Sequence, residues 1–261
     1  MFRHTLALPL IAIAALACSD ATSPSGGNAH PMSVAFGTAP AASARVAAGQ
    51  PVISPDVTIG DAAHSLVITR AQLVIGKMEL KTADSASCDG GEHDSDCSEI
   101  ESGPTLVDLP LTAGASTALD VSVPAGTYRK LELKVRAPER GEDDASAFLA
   151  AHPDFQGVSL RVDGTFDGVA FTYTTSLEAE LEMEFEPPLV VDAGGKNVTV
   201  NVDVSTWFRT AGGVVIDPAT ALAGGENEAL VASNIRASFG AFEDDDHDGH
   251  DDHGSDGEGH H

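Results

Sequence analysis

From Val57 onward apolar and polar side chains alternate with a period close to two, the spacing of a β-strand with one face on a core. The run Leu66 to Ile75 (LVITRAQLVI) is rich in aliphatic and β-branched residues and predicts a strand. Leu131, Leu133 and Val135 alternate with Lys130, Glu132, Lys134 and Arg136. Leu177, Ala179, Leu181, Met183 and Phe185 alternate with Glu178, Glu180, Glu182, Glu184 and Glu186, and Val198, Val200, Val202 and Val204 alternate with Asn197, Thr199, Asn201 and Asp203. Such alternation is antiparallel-sheet behaviour, with the other face in water. Asp167-Gly168 separates two strand-like runs and predicts a tight type I′ hairpin. One short helix is expected over Ala145 to Ala151, capped by Asp143 or Asp144 and stopped by Pro153. The fold class that follows is all-β: an antiparallel β-sandwich of immunoglobulin or transthyretin type, spanning residues 55–242.

The ends of the chain read differently. Residues 1–17 have a short basic start at Arg3 and His4 and an apolar run from Leu6 to Leu16, the pattern of a signal peptide and too short to span a bilayer. The run ends Ala15-Leu16-Ala17-Cys18, which resembles a bacterial lipobox with Ala15 where Leu is usual. Cys18 is therefore the expected lipid anchor, and ordinary cleavage after Ala17 is the alternative. Residues 18–54, rich in Ala, Gly, Ser and Pro, read as a flexible tether. With Cys18 lipidated, Cys88 and Cys97 are left as an even pair, expected to form a disulfide in an oxidising compartment.

The net charge of −26 changes the picture of partners. Nucleic acid and anionic headgroups are repelled, so the membrane is reached through the lipid anchor only. Divalent cations, a protein or a surface glycan remain as partners. The charge is uneven: residues 243–261 contain nine acids and no Lys or Arg, and residues 84–101 contain seven acids and no base. Such blocks self-repel and favour solvated chain.

Asp244, Asp246, Asp248, Gly249 and Asp252 fit D-x-D-x-D-G-x-x-D, the front of a calcium loop, and resemble the Asp-rich loops of thrombospondin type 3 repeats. Alternating Asp supplies oxygen ligands and Gly permits the bend. Ser255 stands where an EF-hand places its bidentate Glu. The same tail carries His247, His250 and His253, which suit zinc, copper or nickel better than calcium. The tail from Glu243 is expected to be disordered without metal. No organic cofactor is expected.

The row Glu178 to Glu186 is a possible carboxylate array, with cross-strand pairing to Lys130, Lys134 and Arg136 as the simpler expectation. His64 and His152 read as surface groups, and Trp207-Phe208 as core. No nucleophile elbow, zincin motif or phosphate loop occurs in the chain. Val107-Asp108-Leu109, and Val123-Pro124-Ala125-Gly126-Thr127-Tyr128 running into Arg129-Lys130-Leu131, resemble the exported β-sandwich lipoproteins of domain-of-unknown-function family 4382, over roughly residues 60–240. That family supplies no agreed activity and no catalytic residues. Tyr128 itself is expected to pack, with its hydroxyl on a backbone partner.

Together these features lead to a non-catalytic, lipid-anchored protein of the bacterial cell envelope, at the outer membrane on its periplasmic or surface face. It would serve binding, adhesion or structure, with weak calcium binding in its tail. A metal-handling protein using the His/Asp tail for zinc, copper or nickel, and a hydrolase, are the alternatives.

Overall fold

A computed structural model describes residues 29–38, 56–82, 102–111, 115–139, 141 and 144–243. Eleven strands and two α-helices are seen among them. The strands are β1 (Ala29–Gly37), β2 (Val57–Gly60), β3 (Ser65–Thr82), β4 (Thr105–Asp108), β5 (Ala115–Pro124), β6 (Gly126–Val135), β7 (Leu160–Phe166), β8 (Val169–Thr175), β9 (Ala179–Val191), β10 (Lys196–Val202) and β11 (Phe239–Glu243). The helices are α1 (Ala145–Ala151) and α2 (Glu228–Ala237). They form two sheets, one ordered β11-β10-β1-β5 and one ordered β8-β7-β3-β6-β9, with β2 and β4 also paired to β3. One core draws on both sheets, among others Met32, Val34 and Phe36 of β1, Val198 and Val200 of β10, Leu131 and Leu133 of β6, and Met183 of β9. The chain is thus a β-sandwich, as its alternation predicts.

Three features depart from the sequence expectation. The first is β1, which lies inside the 18–54 segment read as tether. It pairs in parallel with β10 and antiparallel with β5, and buries Met32, Val34 and Phe36. Its stretch MSVAF alternates, but only over five residues set in Ala/Gly/Pro-rich chain, so composition outweighs it. The second is α2, a further helix that buries Val231 and Ile235. Asn234 of α2 donates to the carbonyls of Trp207 (3.1 Å) and Arg209 (2.7 Å), which ties the helix to the strand-less segment before it. The third is that β10 has a parallel neighbour, so the smaller sheet is mixed.

The hairpin and the short helix appear where expected. Asp167 (φ 49°) and Gly168 (φ 79°) both take the positive φ angles of a type I′ turn between β7 and β8. Helix α1 begins after Asp144, although the Asp144 side chain makes no capping hydrogen bond, and Pro153 opens a 3₁₀ turn just beyond its end. The Tyr128 hydroxyl donates to the Pro124 carbonyl at 2.8 Å. Trp207 and Phe208 are fully buried, and the Trp207 indole N–H donates to Ser238 Oγ at 2.7 Å.

Strand β3 organises the larger sheet. Against β7 the register slips at Thr69, and against β6 it slips at Gly76. Each extra residue turns the following side chains over by one position. The core-facing set therefore runs Leu66 and Ile68, then Ala71, Leu73 and Ile75, then Met78 and Leu80. Opposite the first slip, a Cβ on Gly164 would lie 2.1 Å from the Val67 carbonyl oxygen, so only glycine fits there. The outward set is Arg70, Gln72 and Val74, then Lys77, Glu79 and Lys81. Val74 is covered by Phe148 of α1 and by Phe155, and the other outward residues build the polar features described below.

Both ends of the described body meet at one end of β10. Met32 of β1 sits opposite Lys196, and Glu243 of β11 sits opposite Val198.

Candidate functional site

On the outer face of the larger sheet, register places nine charged side chains in three cross-strand rows. Glu79, Glu132 and Glu182 form the middle row; Lys77, Lys134 and Glu180 flank it on one side, and Lys81, Lys130 and Glu184 on the other. The pairing expected between the β6 lysines and the β9 glutamates is present. Lys130 bonds Glu182, and Lys134 lies 3.5 Å from Glu180. Lys77 bonds Glu79 along the same strand.

Glu132 is the hub. It is buried, at 4% exposure, and three lysines converge on it: Lys134 at 2.9 Å, Lys81 at 3.5 Å and Lys130 at 3.9 Å. Burial pushes its carboxyl up, but the hydrogen bond with Glu180 and the charges of Lys134 and Lys81 outweigh this and hold it at about 2. Glu180, on the other end of that hydrogen bond, is pushed above the usual carboxylate range. Lys134 is raised by its hydrogen bond to Glu132, and Lys130 by its hydrogen bond to Glu182.

Carboxylate oxygens of Glu132, Glu180 and Glu182 all lie within 4.8 Å of one another, a spacing that would allow three ligands on one cation. The lysines already bring positive charge to that spot, and an added divalent ion would have to displace them. Hollows of about 340 Å³ and 470 Å³ flank the row. The first is lined by Lys81, Lys130 and Glu184 among others, the second by Lys134, Glu178 and Glu180 among others. Glu132 and Glu182 line neither of these two hollows. The arrangement is a cross-braced sheet face.

A second charged group pins three turns together. Asp61 accepts backbone N–H bonds from Ala63 and His64 (2.7 Å each) and from Val215 (2.7 Å), and these hold its carboxyl at about 2. His64 Nδ1 is 2.8 Å from Asp167, whose other oxygen accepts from the Ser65 N–H, and the His64 ring stacks on Phe166 at 5.1 Å. The hydrogen bond to Asp167 raises the His64 pKa. His64 is thus a surface group, as expected, but an engaged one.

A third polar group was not expected from the sequence: Arg70, Gln72 and Arg161 gather beneath the end of α1. The signal for it lies in the polar pair Arg70 and Gln72, two apart within the otherwise apolar LVITRAQLVI. His152 borders the same spot and packs on Phe148, with ring centroids 4.9 Å apart.

Cys18, Cys88 and Cys97 lie outside the described residues, as do Asp244, Asp246, Asp248, Asp252, His247, His250 and His253. Among the described residues no helix is long and apolar enough to cross a membrane. Comparison with family models, with curated proteins and with solved structures finds no match.

Proposed function

We propose that the chain is a non-catalytic, lipid-anchored binding or structural protein of the bacterial cell envelope. The observation that carries the non-catalytic part is the fate of the glutamate row. General acid–base chemistry needs a carboxyl that can reach substrate and exchange a proton. Here Glu132 is enclosed by three lysines, and Lys130 bonds Glu182, which fits a rigid display surface. The envelope address rests on the leader, Cys18 and the acidic composition.

Anchoring is tested by Cys18→Ser. The wild-type chain is expected to sediment with membranes and the variant to be released, with acyl mass on Cys18 of the wild type. An unmodified Cys18 at the mature N-terminus overturns the anchor.

The acidic tail is proposed to bind calcium weakly, with dissociation constants around 10⁻⁴–10⁻³ M as in extracellular modules. Titrating the full chain with calcium and with zinc at two pH values tests this. Tighter zinc binding, abolished near pH 6 where histidine protonates, would favour the metal-handling alternative.

A further inference from the structure

Among the described residues the two sheets have four end strands, and three of them are guarded. Strand β9 carries the glutamate row and Pro187-Pro188 and lies against β11, while β5 lies beside β4 and contains Asp120 and Pro124. Charges, prolines and covering elements keep a further strand from adding to such an edge. Strand β8 is different. Its seven residues, Val169–Thr175 (VAFTYTT), hold no charge and no proline, run against β7 in one unbroken register, and pair with β7 alone. Val169 is 71% exposed, and Ala170 and Thr172 are exposed as well.

The turn fixes which backbone groups of β8 face outward. A two-residue type I′ loop is closed by a hydrogen-bonded pair, here Phe166 with Val169, and such pairs recur at every second residue. Phe171 and Tyr173, opposite Gly164 and Val162, therefore turn their N–H and C=O groups towards β7. Ala170, Thr172 and Thr174 aim theirs away from it. These three are placed to meet a copy of themselves. Run antiparallel about a two-fold axis at Thr172, β8 sets Thr172 against Thr172 and Ala170 against Thr174, and each outward donor faces an outward acceptor. The side chains agree with that register. Small Ala and Thr meet on the outer face, where Thr–Thr pairs favour association. On the inner face Phe171, half-buried in one chain, comes opposite Tyr173 of the copy.

A net charge of −26 opposes association in general, but β8 stands apart from much of it. The charged residues directly opposite it, Arg161 and Asp163 of β7, bond each other. Thr175 is abreast of Leu160 and, through it, of Leu73. The acidic residues 84–101 follow β3 only beyond Thr82, a further ~30 Å of strand.

We infer that β8 is a self-association edge, at which two copies of this chain join β8 to β8, antiparallel, into one continuous sheet. The inference is separate from the anchor and from the tail. Seven residues a side is well below the ~20–30 of a standard interface, so the dimer is weak, with a dissociation constant of ~10⁻⁴ M.

The test uses the ¹⁵N-labelled full chain carrying Cys18→Ser, so that no acyl group can itself gather copies. Sedimentation equilibrium across a concentration series is expected to show a monomer–dimer equilibrium. Over the same series the amides of Ala170, Thr172 and Thr174 should shift and gain protection from hydrogen exchange, while those of Phe171 and Tyr173 are protected throughout. Thr172→Lys places two ammonium groups face to face at the two-fold and is expected to weaken the dimer ~10-fold or more. It also makes the chain less negative, so a general charge effect would strengthen association instead. Should Thr172→Lys fail to fold, Ala170→Pro removes an outward N–H without touching the β7 ladder and is expected to act the same way. A chain that stays monomeric at ~1 mM, where even an affinity of 4 kcal/mol would show, overturns the inference and leaves β8 to a strand from another protein. So does a dimer that forms without the alternating protection, or one that folded variants form as the wild type does.

Discussion

Removing residues 18–54 should unfold this protein. The segment reads as tether by composition, yet β1 within it supplies the strand between β10 and β5. Without it the backbone edges of both neighbours lose their partner, and the core loses Met32, Val34 and Phe36, each at 1% exposure or less. Unpaired edges and exposed apolar faces both oppose folding. The single substitution Phe36→Ala isolates the packing part, since cutting a buried Phe to Ala costs about 3–5 kcal/mol. Against a typical total of about 5–15 kcal/mol, that is a large share. Urea unfolding of the full chain, Phe36→Ala and the deletion measures the effect. A deletion mutant with an unchanged, cooperative transition would mean that β1 is dispensable.

Glu132→Gln should cost about 2 kcal/mol. Breaking a fully buried pair costs about 3–5 kcal/mol, but the partners of Glu132 keep side-chain exposures of 17% to 35%, and solvent screens part of the loss. The substitution keeps the shape and removes the charge on which Lys81, Lys130 and Lys134 converge. A pH arm separates this from a packing defect. The folded state holds Glu132 at about 2, below its ordinary 4.5. Its contribution is therefore present above about pH 4.5 and is lost as pH falls towards 2. Glu180 is raised, so its contribution has the opposite sign, present below about 4.5 and lost as pH rises through its folded value, and its exposure keeps it small. Between pH 4.5 and 2 the wild type should lose more stability than Glu132→Gln. Parallel curves for the two proteins would show that Glu132 is not the hub of the lattice.

The sandwich, the β7–β8 turn and the pairing of β6 with β9 were legible because each rests on a local signal. Period-two alternation fixes which face of a strand is wet, and Asp-Gly fixes a turn with positive φ. What escaped depends on registers that only the assembled sheet sets. The run Leu66 to Ile75 reads as one apolar strand, whereas two bulges in β3, at Thr69 and at Gly76, change the phase of its side chains. With the phase changes known, Arg70 and Gln72 point outward beside Arg161 of β7, ninety residues along the chain, and Lys77, Glu79 and Lys81 join the β6 and β9 charges. Helix α2 escaped for a different reason. Its buried face is short, and tertiary bonds from Asn234 and from Arg236 make up for weak local preference.

The meeting of the two chain ends at one end of β10 has a bearing on geometry at a bilayer. Neighbouring strands lie ~4.8 Å apart, so the chain enters at β1 and leaves at β11 with only β10 between, about 10 Å across. From Cys18 to Ala29 is eleven residues, a reach of ~40 Å at full extension. An acyl group on Cys18 would therefore keep the root of the acidic tail within a few nanometres of the headgroups. Were that leaflet anionic, the carboxylates of residues 243–261 would be repelled wherever they came within ~8–10 Å of it, the screening distance at physiological salt. Anchor and tail would then act as a spacer, standing the sandwich off the surface at a height that ionic strength and divalent ions can set.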